Sequence, residues 1–286
     1  MERYYRFAGI ELSIDIPEKK IYEDERRLRP FAVENVQCPQ IYKVEMVDML
    51  DEPTGTCIAQ SPSFCIYQDG EQRIRYIGSN GKKIDGAYIR VSSCGKEHVI
   101  QLLNEKYPDY ISTKTILNSI GAEHLLAQNQ GFILHCSYIE RNGKAILFTA
   151  PSGTGKSTQA DLWNLLRNAT IINGDRAAVR MVKGQMIAEG IPFAGSSKYC
   201  ENRSLPIEAI VYLGQAPQNK VERLTGSKAF RAIWEGVSVN VWDASDVAKC
   251  MDIVKKIVEE ISVYRLECLP DETAIIALEE VLESKR

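Results

Sequence analysis

The chain has 286 residues, of which 44% are hydrophobic and 26% charged, and its formal net charge is −3. This balance is typical of a globular protein and lacks the basic excess that nucleic-acid binding requires. The N-terminal residues have no apolar signal core, and no window approaches the roughly 20 apolar residues that span a bilayer. We therefore expect a cytoplasmic protein with neither a nucleic acid nor a membrane as its partner.

Residues 1–110 alternate apolar and polar side chains in short runs separated by turn-forming residues, which is typical of β-strands. The runs are IELSIDI, IYKVEMVDM, FCIYQ, RIRYIG and AYIRVSS. After Pro108 the spacing becomes helical, and the apolar stripe consists of Ile116, Leu117, Ile120, Leu125 and Leu126. We place a domain boundary at residues 105–112. The sequence thus predicts a smaller β-rich module over 1–110, whose candidate role is partner or substrate binding, and a second domain over 111–286.

The second domain interleaves strand-like and helical runs, which predicts an α/β fold. Two strands, GFILHCSYI and KAILFTA, are joined by the turn ERNGK and should form a hairpin. Further strands are predicted at TIING, AAVRMV, QMIAEG, IEAIVYL, KVERL and VYRLEC. Helices are predicted at SKAFRAIWEGV, ASDVAKCMDIVKKIVEEIS and DETAIIALEEVL.

The eight cysteines and three histidines do not have the spacing of metal ligands. No pair of cysteines forms a CxxC motif, and no pair of histidines forms HxxxH. We expect free thiols and no zinc site.

Residues 147–163, LFTAPSGTGKSTQADLW, have the parts of a phosphate-binding loop. A buried strand precedes a glycine-rich loop, Lys156 supplies a cation, Ser157 supplies a hydroxyl for Mg²⁺, and a helix follows. Ala150 stands where the common pattern has its first glycine. We expect Lys156 to face solvent. The apolar side of the helix is predicted to consist of Leu162, Leu165 and Leu166.

Two further residues are candidates for the same site. Asp175 follows the strand-like run TIING and lies 18 residues after Ser157, the length of one helix and a return loop, so it is a candidate metal ligand. Alternatively, it only caps the turn. His135 lies within GFILHCSYI, where alternation puts it on the face opposite Leu134 and Cys136. It is either a catalytic residue or a structural one.

The segments LHCSYIERNGKAILFTAPSGTGKST and IINGDRAAVR resemble the catalytic domain of the HPr kinase/phosphorylase family, which shares its nucleotide fold with ATP-dependent phosphoenolpyruvate carboxykinase. Kinase-like proteins of peptide-modification clusters are similar as well. The resemblance covers residues 113–215 and is most specific at the loop. In that family a functional histidine stands about fifteen residues before the loop, where this chain has His135.

The resemblance implies a kinase that uses ATP and Mg²⁺. ATP would be bound by Ser152, Gly153, Thr154, Gly155, Lys156, Ser157 and Thr158. Backbone N–H groups of the loop would hold the β-phosphate, Lys156 would neutralise charge on the β and γ oxygens, and Ser157 and Asp175 would hold Mg²⁺. The family has two adjacent aspartates where this chain has Asp175 followed by Arg176. The general base is therefore His135 or Asp175.

The segment MIAEGIPFAGSSKYCENRS supplies further candidates, because small and polar residues beside an active site commonly contact substrates. Glu189 is a candidate second metal ligand, and Lys198 or Arg203 a candidate phosphate or substrate clamp; all three are alternatively surface residues. The run QNKVE has Glu222 where GTPases have aspartate, which argues against a GTPase. No HRD or DFG motif indicates a eukaryotic protein kinase.

These observations predict transfer of the γ-phosphate of ATP to a hydroxyl, with Ser or Thr of a peptide or small protein as the acceptor, or else a small hydroxyl compound. The alternative is a non-catalytic ATP-binding sensor or scaffold. Carboxykinase chemistry is a third option, but the additional basic and manganese-binding residues that it needs are not visible. The sequence leaves a homo-oligomer open.

Overall fold

A computed structural model describes residues 2–17, 21–22, 27–61, 64–77, 87–91 and 95–284, and the chain divides into two compact units, Met1–Ala122 and Glu123–Arg286. Within those described ranges, no helix is both long and apolar enough to cross a bilayer. The seven cysteines that the structure describes are free thiols, and Cys94 lies outside the described residues.

The first unit is rich in β-strands, as predicted. Its nine-stranded sheet has the order β4-β1-β2-β5-β10-β9-β8-β7-β6, and β3 and β11 form a separate parallel pair. The strands are β1 Glu2–Phe7, β2 Ile10–Asp15, β3 Ile21–Tyr22, β4 Ala32–Val33, β5 Gln40–Val47, β6 Thr56–Ser61, β7 Phe64–Asp69, β8 Gln72–Ile77, β9 Ala87–Val91, β10 Glu97–Leu103 and β11 Tyr110–Ile111. The five predicted runs correspond to β2, β5, β7, β8 and β9, whereas β1, β6 and β10 were not predicted.

The first unit extends beyond the predicted boundary at residues 105–112. Helix α1, Thr113–Ser119, belongs to it, and helix α2, Ala122–Gln128, begins at its end. The buried Tyr42 hydroxyl donates a hydrogen bond of 2.6 Å to the Ile120 carbonyl, which ties the end of α1 to β5. The sequence did not show this because the spacing of apolar residues becomes helical after Pro108, whereas the second compact unit begins only at Glu123.

The second unit mixes helices and strands, which confirms the predicted α/β class at that level. Its strands are β12 Gly131–Arg141, β13 Lys144–Thr149, β14 Thr170–Asn173, β15 Arg176–Val182, β16 Gln185–Glu189, β17 Ser204–Gln215, β18 Lys220–Leu224, β19 Val237–Ser238 and β20 Ser262–Cys268. Its helices are α3 Lys156–Arg167, α4 Gly226–Trp234, α5 Ala244–Glu260 and α6 Glu272–Glu283. The short β19, which pairs with β12, was not predicted.

The predicted hairpin of β12 and β13 is confirmed. Asn142 and Gly143 have φ of 52° and 75°, and positive φ at both central residues is the conformation that a tight two-residue hairpin turn requires.

Strand β12 joins two parts of the sheet in the second unit. Its first half, 131–135, pairs with β15, and its second half, 136–141, pairs with β13 on one side, while β14 pairs along its other side. Because β13 and β14 are both antiparallel to β12, their carboxyl ends lie at the same edge. The parallel neighbours β17 and β20 end at this edge too. The topology therefore gathers the loop after β13 and the turn after β14 on either side of Cys136.

Helices cover both faces of this sheet. Strand residues such as Ala145 and Leu147 pack with α4 and α5 in one core cluster, and the alternate residues Ile146 and Phe148 pack with α3 and α6 in another. The period of two along each strand decides which core a residue joins.

The buried side of α3 differs from the prediction. Buried positions are Lys156, Gln159, Ala160 and Trp163, which have the spacing i, i+3, i+4, i+7 of one helical face. The side chain of Leu165 is instead 75% exposed and that of Leu166 37% exposed, while Leu162 packs at the edge of the core. The sequence did not show this because the face is set by Lys156 and Gln159, two polar residues that turn inward.

We predict that two substitutions in α3 separate the two faces. Trp163→Ala should lower the free energy of unfolding by about 3–5 kcal/mol, since Trp163 is fully buried and its ring centroid lies 6.4 Å from that of Phe148. Leu165→Ala, the control, should change it by less than about 0.5 kcal/mol. Urea denaturation measures both values, and a larger loss for Leu165→Ala would contradict this assignment of the helix faces.

Candidate active site

The loop between β13 and α3 has an anion-binding shape. Gly153 and Gly155 have φ of 79° and 110°, values that L side chains rarely adopt, and a Cβ atom at either residue would meet nothing within 4 Å. The glycines are thus needed for backbone conformation, and the space beside them is open. Gly155 is the N-cap of α3 and no side chain caps the helix, so the backbone N–H groups of its first turn are oriented for an anion.

Lys156 is buried, contrary to the expectation of a solvent-facing cation. Its side chain turns back under the loop, where Nζ donates hydrogen bonds to the carbonyl oxygens of Ala150 at 3.0 Å and Pro151 at 3.2 Å. Burial lowers the pKa of Lys156, while the nearby Cys136 and Asp175 act in the opposite direction. Lys156 therefore ties the start of α3 to the beginning of the loop.

Asp175 is fixed by the buried side chain of Asn173. Asn173 Oδ1 accepts hydrogen bonds from the backbone N–H groups of Asp175 at 2.9 Å and Arg176 at 3.0 Å. Its Nδ2 donates to the carbonyl oxygens of Ile191 at 3.0 Å and Phe193 at 3.2 Å. The Asp175 turn and the segment after β16 are thereby held together, which gives the turn a defined shape.

His135 and Asp175 meet at this point. His135 Nε2 lies 3.4 Å from Asp175 Oδ1, and Arg176 Nε lies 3.2 Å from Asp175 Oδ2. The hydrogen bond from His135 is the largest influence that lowers the pKa of Asp175; burial opposes it, and the charge of Arg176 adds to the lowering. Asp175 is therefore held as a carboxylate.

A cavity of about 320 Å³ brings Ser157 and Asp175 together. Asp161, four residues after Ser157 on α3, and Lys198 line it as well. Gly195 packs directly against Asp175, since a Cβ atom there would lie 2.7 Å from Asp175 Cγ. Ser157, Asp175 and Lys198 were predicted from the sequence, whereas Asp161, Asn173 and Gly195 were missed. The i+4 spacing from Ser157 could have indicated Asp161.

Glu189 and Arg203 do not line this cavity. Glu189 accepts hydrogen bonds from Arg180 Nη1 at 2.9 Å and from Ser204 Oγ at 3.2 Å, because the register of β16 places it between β15 and β17. Arg203 forms an ion pair with Glu140. The candidate roles of Glu189 in metal binding and of Arg203 as a clamp therefore find no support in this geometry.

Comparison with known families gives one match to a family model. The model of the family described as SynChlorMet cassette protein ScmC matches residues 110–268, more than half of the chain. The chain belongs to this ScmC family. The matched region contains His135, Lys156 and Asp175.

Other comparisons add little to the ScmC family assignment. No curated protein matches the chain. A solved structure, the Hpr(Ser) kinase/phosphatase from Coxiella burnetii, is 10% identical and matches 54% of this chain and 90% of that chain, with a TM-score of 0.33.

A second carboxylate cluster in this ScmC-family chain is structural. Asp246 is fully buried at the start of α5, and its carboxylate lies 3.0 Å from His124 Nδ1 and accepts from Gln128 and Asn240, each at 3.1 Å. Asp243 lies nearby and caps the same helix. Since the Asp246 carboxylate already has these partners, the cluster serves to attach α2 to α5.

We predict that His135→Ala raises the pKa of Asp175 towards its ordinary value near about 4. The pKa of Asp175 in the folded protein lies below its ordinary value, so the interaction with His135 stabilises the protein at pH values above the ordinary pKa. This stabilisation is lost as the pH falls through the lowered pKa of Asp175. Carboxyl ¹³C NMR titration measures the change. His124→Ala, which removes the partner of Asp246, is the control and should leave Asp175 unchanged. An identical Asp175 titration in His135→Ala would show that the two side chains do not interact.

Proposed function

We propose that this protein is an ATP-dependent kinase that transfers the γ-phosphate to a hydroxyl group. The observation that supports this most directly is the convergence of the two halves of a phosphate site. Lys156 and Ser157 begin α3 below an open glycine-rich loop, and Asp175 lies on the same cavity as Ser157. A lysine, a hydroxyl and a carboxylate in this arrangement are the groups that hold nucleotide phosphates and their metal ion.

Each residue has a defined task in this proposal. The backbone N–H groups of residues 152–155 bind the β-phosphate, and Lys156 exchanges its bonds to the loop carbonyls for bonds to phosphate oxygens. The Ser157 hydroxyl and the Asp175 carboxylate would hold Mg²⁺. When bound, Mg²⁺ neutralises phosphate charge. Asp175 suits this role because its lowered pKa keeps it ionised.

His135 is our choice for the general base. A carboxylate whose pKa is lowered is a weaker base, which argues against Asp175 as the proton acceptor. In the proposed step, His135 keeps its Nε2–H towards Asp175 and takes the proton of the acceptor hydroxyl at Nδ1. The hydroxyl oxygen forms a bond to the γ-phosphorus, and the bond between the γ-phosphorus and the bridging oxygen breaks to leave ADP.

The proposed acceptor is Ser or Thr of a peptide or small protein. The cavity beside Asp175 has a volume of about 320 Å³, and Ser196, Ser197 and Lys198 at its wall offer polar contacts to a bound backbone or an acidic neighbour. The description of the family as a cassette protein agrees with an acceptor encoded by a neighbouring gene. A small hydroxyl compound is the alternative acceptor.

We predict that Lys156→Met weakens ATP binding by about 10- to 100-fold, because hydrogen bonds to charged groups contribute about 1.5–3 kcal/mol. Calorimetry with ATP and Mg²⁺ measures this effect. Lys144→Met, at the exposed far end of β13, is the matched control and should bind ATP as the wild type does. Equal affinities of the two variants would refute the phosphate site. Because Lys156 also bonds the loop, melting temperatures of both variants are needed.

We also predict that Asp175→Asn lowers Mg²⁺-dependent turnover more than ATP affinity, since an amide is an uncharged and poorer metal ligand.

His135→Ala should lower turnover by about 10²–10⁴-fold with ATP affinity near that of the wild type. ADP formation with added peptide acceptors measures turnover. A folded, slow His135→Ala variant that keeps the wild-type pH profile would exclude His135 as the base. ATP binding by the wild type without turnover on any acceptor would support the sensor alternative.

A further inference from the structure

We propose that a second cleft, on the other side of the phosphate loop, binds the nucleoside of the nucleotide and that Gln159 selects adenine there. This inference rests on the proposed function and adds residues that its mechanism does not use, namely Gln159 and those at the ends of β17 and β20. The cleft has a volume of about 560 Å³ and lies between the loop residues Gly153–Gly155 and the residues that follow β17 and β20.

The position of the cleft suits a nucleoside. Strands β13, β17 and β20 are parallel and end at this edge, and in open α/β sheets ligands bind beyond the carboxyl ends of the strands. The cleft and the Asp175 cavity share no residue, although both adjoin the first turns of α3. A phosphate chain bound to the loop therefore has one end beside Asp175, where transfer takes place, and its other end beside this cleft.

Gln159 has an acceptor without a partner. Its side chain is almost fully buried at the wall of the cleft, and Nε2 donates to Cys268 Sγ at 3.4 Å. Within the described part of the chain, Gln159 Oε1 has no hydrogen-bond partner. A buried acceptor without a donor is unfavourable, and rotation of the Gln159 amide towards the cleft, which this residue lines, would let a ligand supply the donor and remove this cost.

The rest of the cleft wall is apolar enough to hold a flat base. Leu269 is a large hydrophobic residue that is 37% exposed, and it lies beside Pro270 and Ala216. A nucleobase would cover these side chains while its polar edge remains free to form hydrogen bonds. The 6-amino group of adenine donates a hydrogen bond, whereas hypoxanthine and guanine have a carbonyl acceptor at that position. Gln159 Oε1 therefore favours adenine over these two bases.

Nucleotide analogues test the proposal in the wild-type protein. Calorimetry with Mg²⁺ should give tighter binding of ATP than of ITP, by about tenfold for one hydrogen bond, and 2′-deoxy-ATP should bind like ATP. Equal affinities for ATP and ITP, or a preference for ITP or GTP, would overturn the assignment. A loss confined to 2′-deoxy-ATP would also overturn it, because Gln159 would then contact the ribose.

Gln159→Met keeps the length of the side chain but removes the acceptor. We expect ATP affinity to fall by about tenfold and the ratio of ATP to ITP affinity to approach one. The matched control, Gln185→Met at the exposed first residue of β16, should retain the wild-type ratio. A folded Gln159→Met variant that still prefers ATP by the wild-type ratio would refute the role of Gln159.

A second measurement needs no variant. Cys268 lines the same cleft, is partly exposed and is a free thiol, so a bound nucleoside should shield it from alkylation. Mass spectrometry of the Cys268 peptide should show slower labelling with saturating ATP, while the exposed Cys38 and Cys57 are labelled at unchanged rates. If ATP binds by calorimetry but does not protect Cys268, the nucleoside cleft is wrong and the phosphate site stands. If the wild type does not bind ATP at all, both proposals fail.

Discussion

The candidate site depends on one buried amide, that of Asn173. Its side chain is inaccessible to solvent and uses its full hydrogen-bonding capacity, with two acceptor and two donor contacts. The acceptor contacts shape the turn that presents Asp175, and the donor contacts hold the chain after β16. Loss of any partner would leave a buried polar group unpaired, so the arrangement is kept as a unit. The backbone that carries the Asp175 carboxylate thus has a fixed shape.

In the glycine-rich loop before α3, by contrast, the polar groups are satisfied only in part. Lys156 bonds the carbonyls of its own loop, whereas the first turn of α3 has no side-chain cap. An anion would replace the lysine contacts with stronger charge-assisted ones and would satisfy the backbone N–H groups at the same time. Asn173 gives the site rigidity, and the loop retains the capacity to exchange partners.

His135 connects these two parts through strand β12. Its backbone lies where β12 changes partner from β15 to β13, and the carbonyl of His135 accepts a hydrogen bond from Thr149 Oγ1 at 3.0 Å. Thr149 is the last residue of β13, immediately before the loop. The same strand residue therefore contacts Asp175 with its ring and the base of the loop with its backbone. A strand position is more rigid than a loop position, which suits a residue that has to be placed accurately.

Much of this protein was determined by its sequence alone. Periodicity predicted most strands of both units and the three helices after residue 226, the Asn-Gly pair predicted the hairpin turn, and SGTGKST predicted the loop and the start of α3. These features depend on backbone preferences and on contacts between near neighbours, which a short window of sequence contains. Tertiary structure alone decided which side chains meet. His135 and Asp175 are 40 residues apart in the chain, and only the pairing of β12, β14 and β15 brings them together. Strand register likewise placed Glu189 beside Arg180, and the packing of α3 buried Lys156. In both cases a residue's partners are set by the strands and helices packed against it rather than by its own neighbours in sequence.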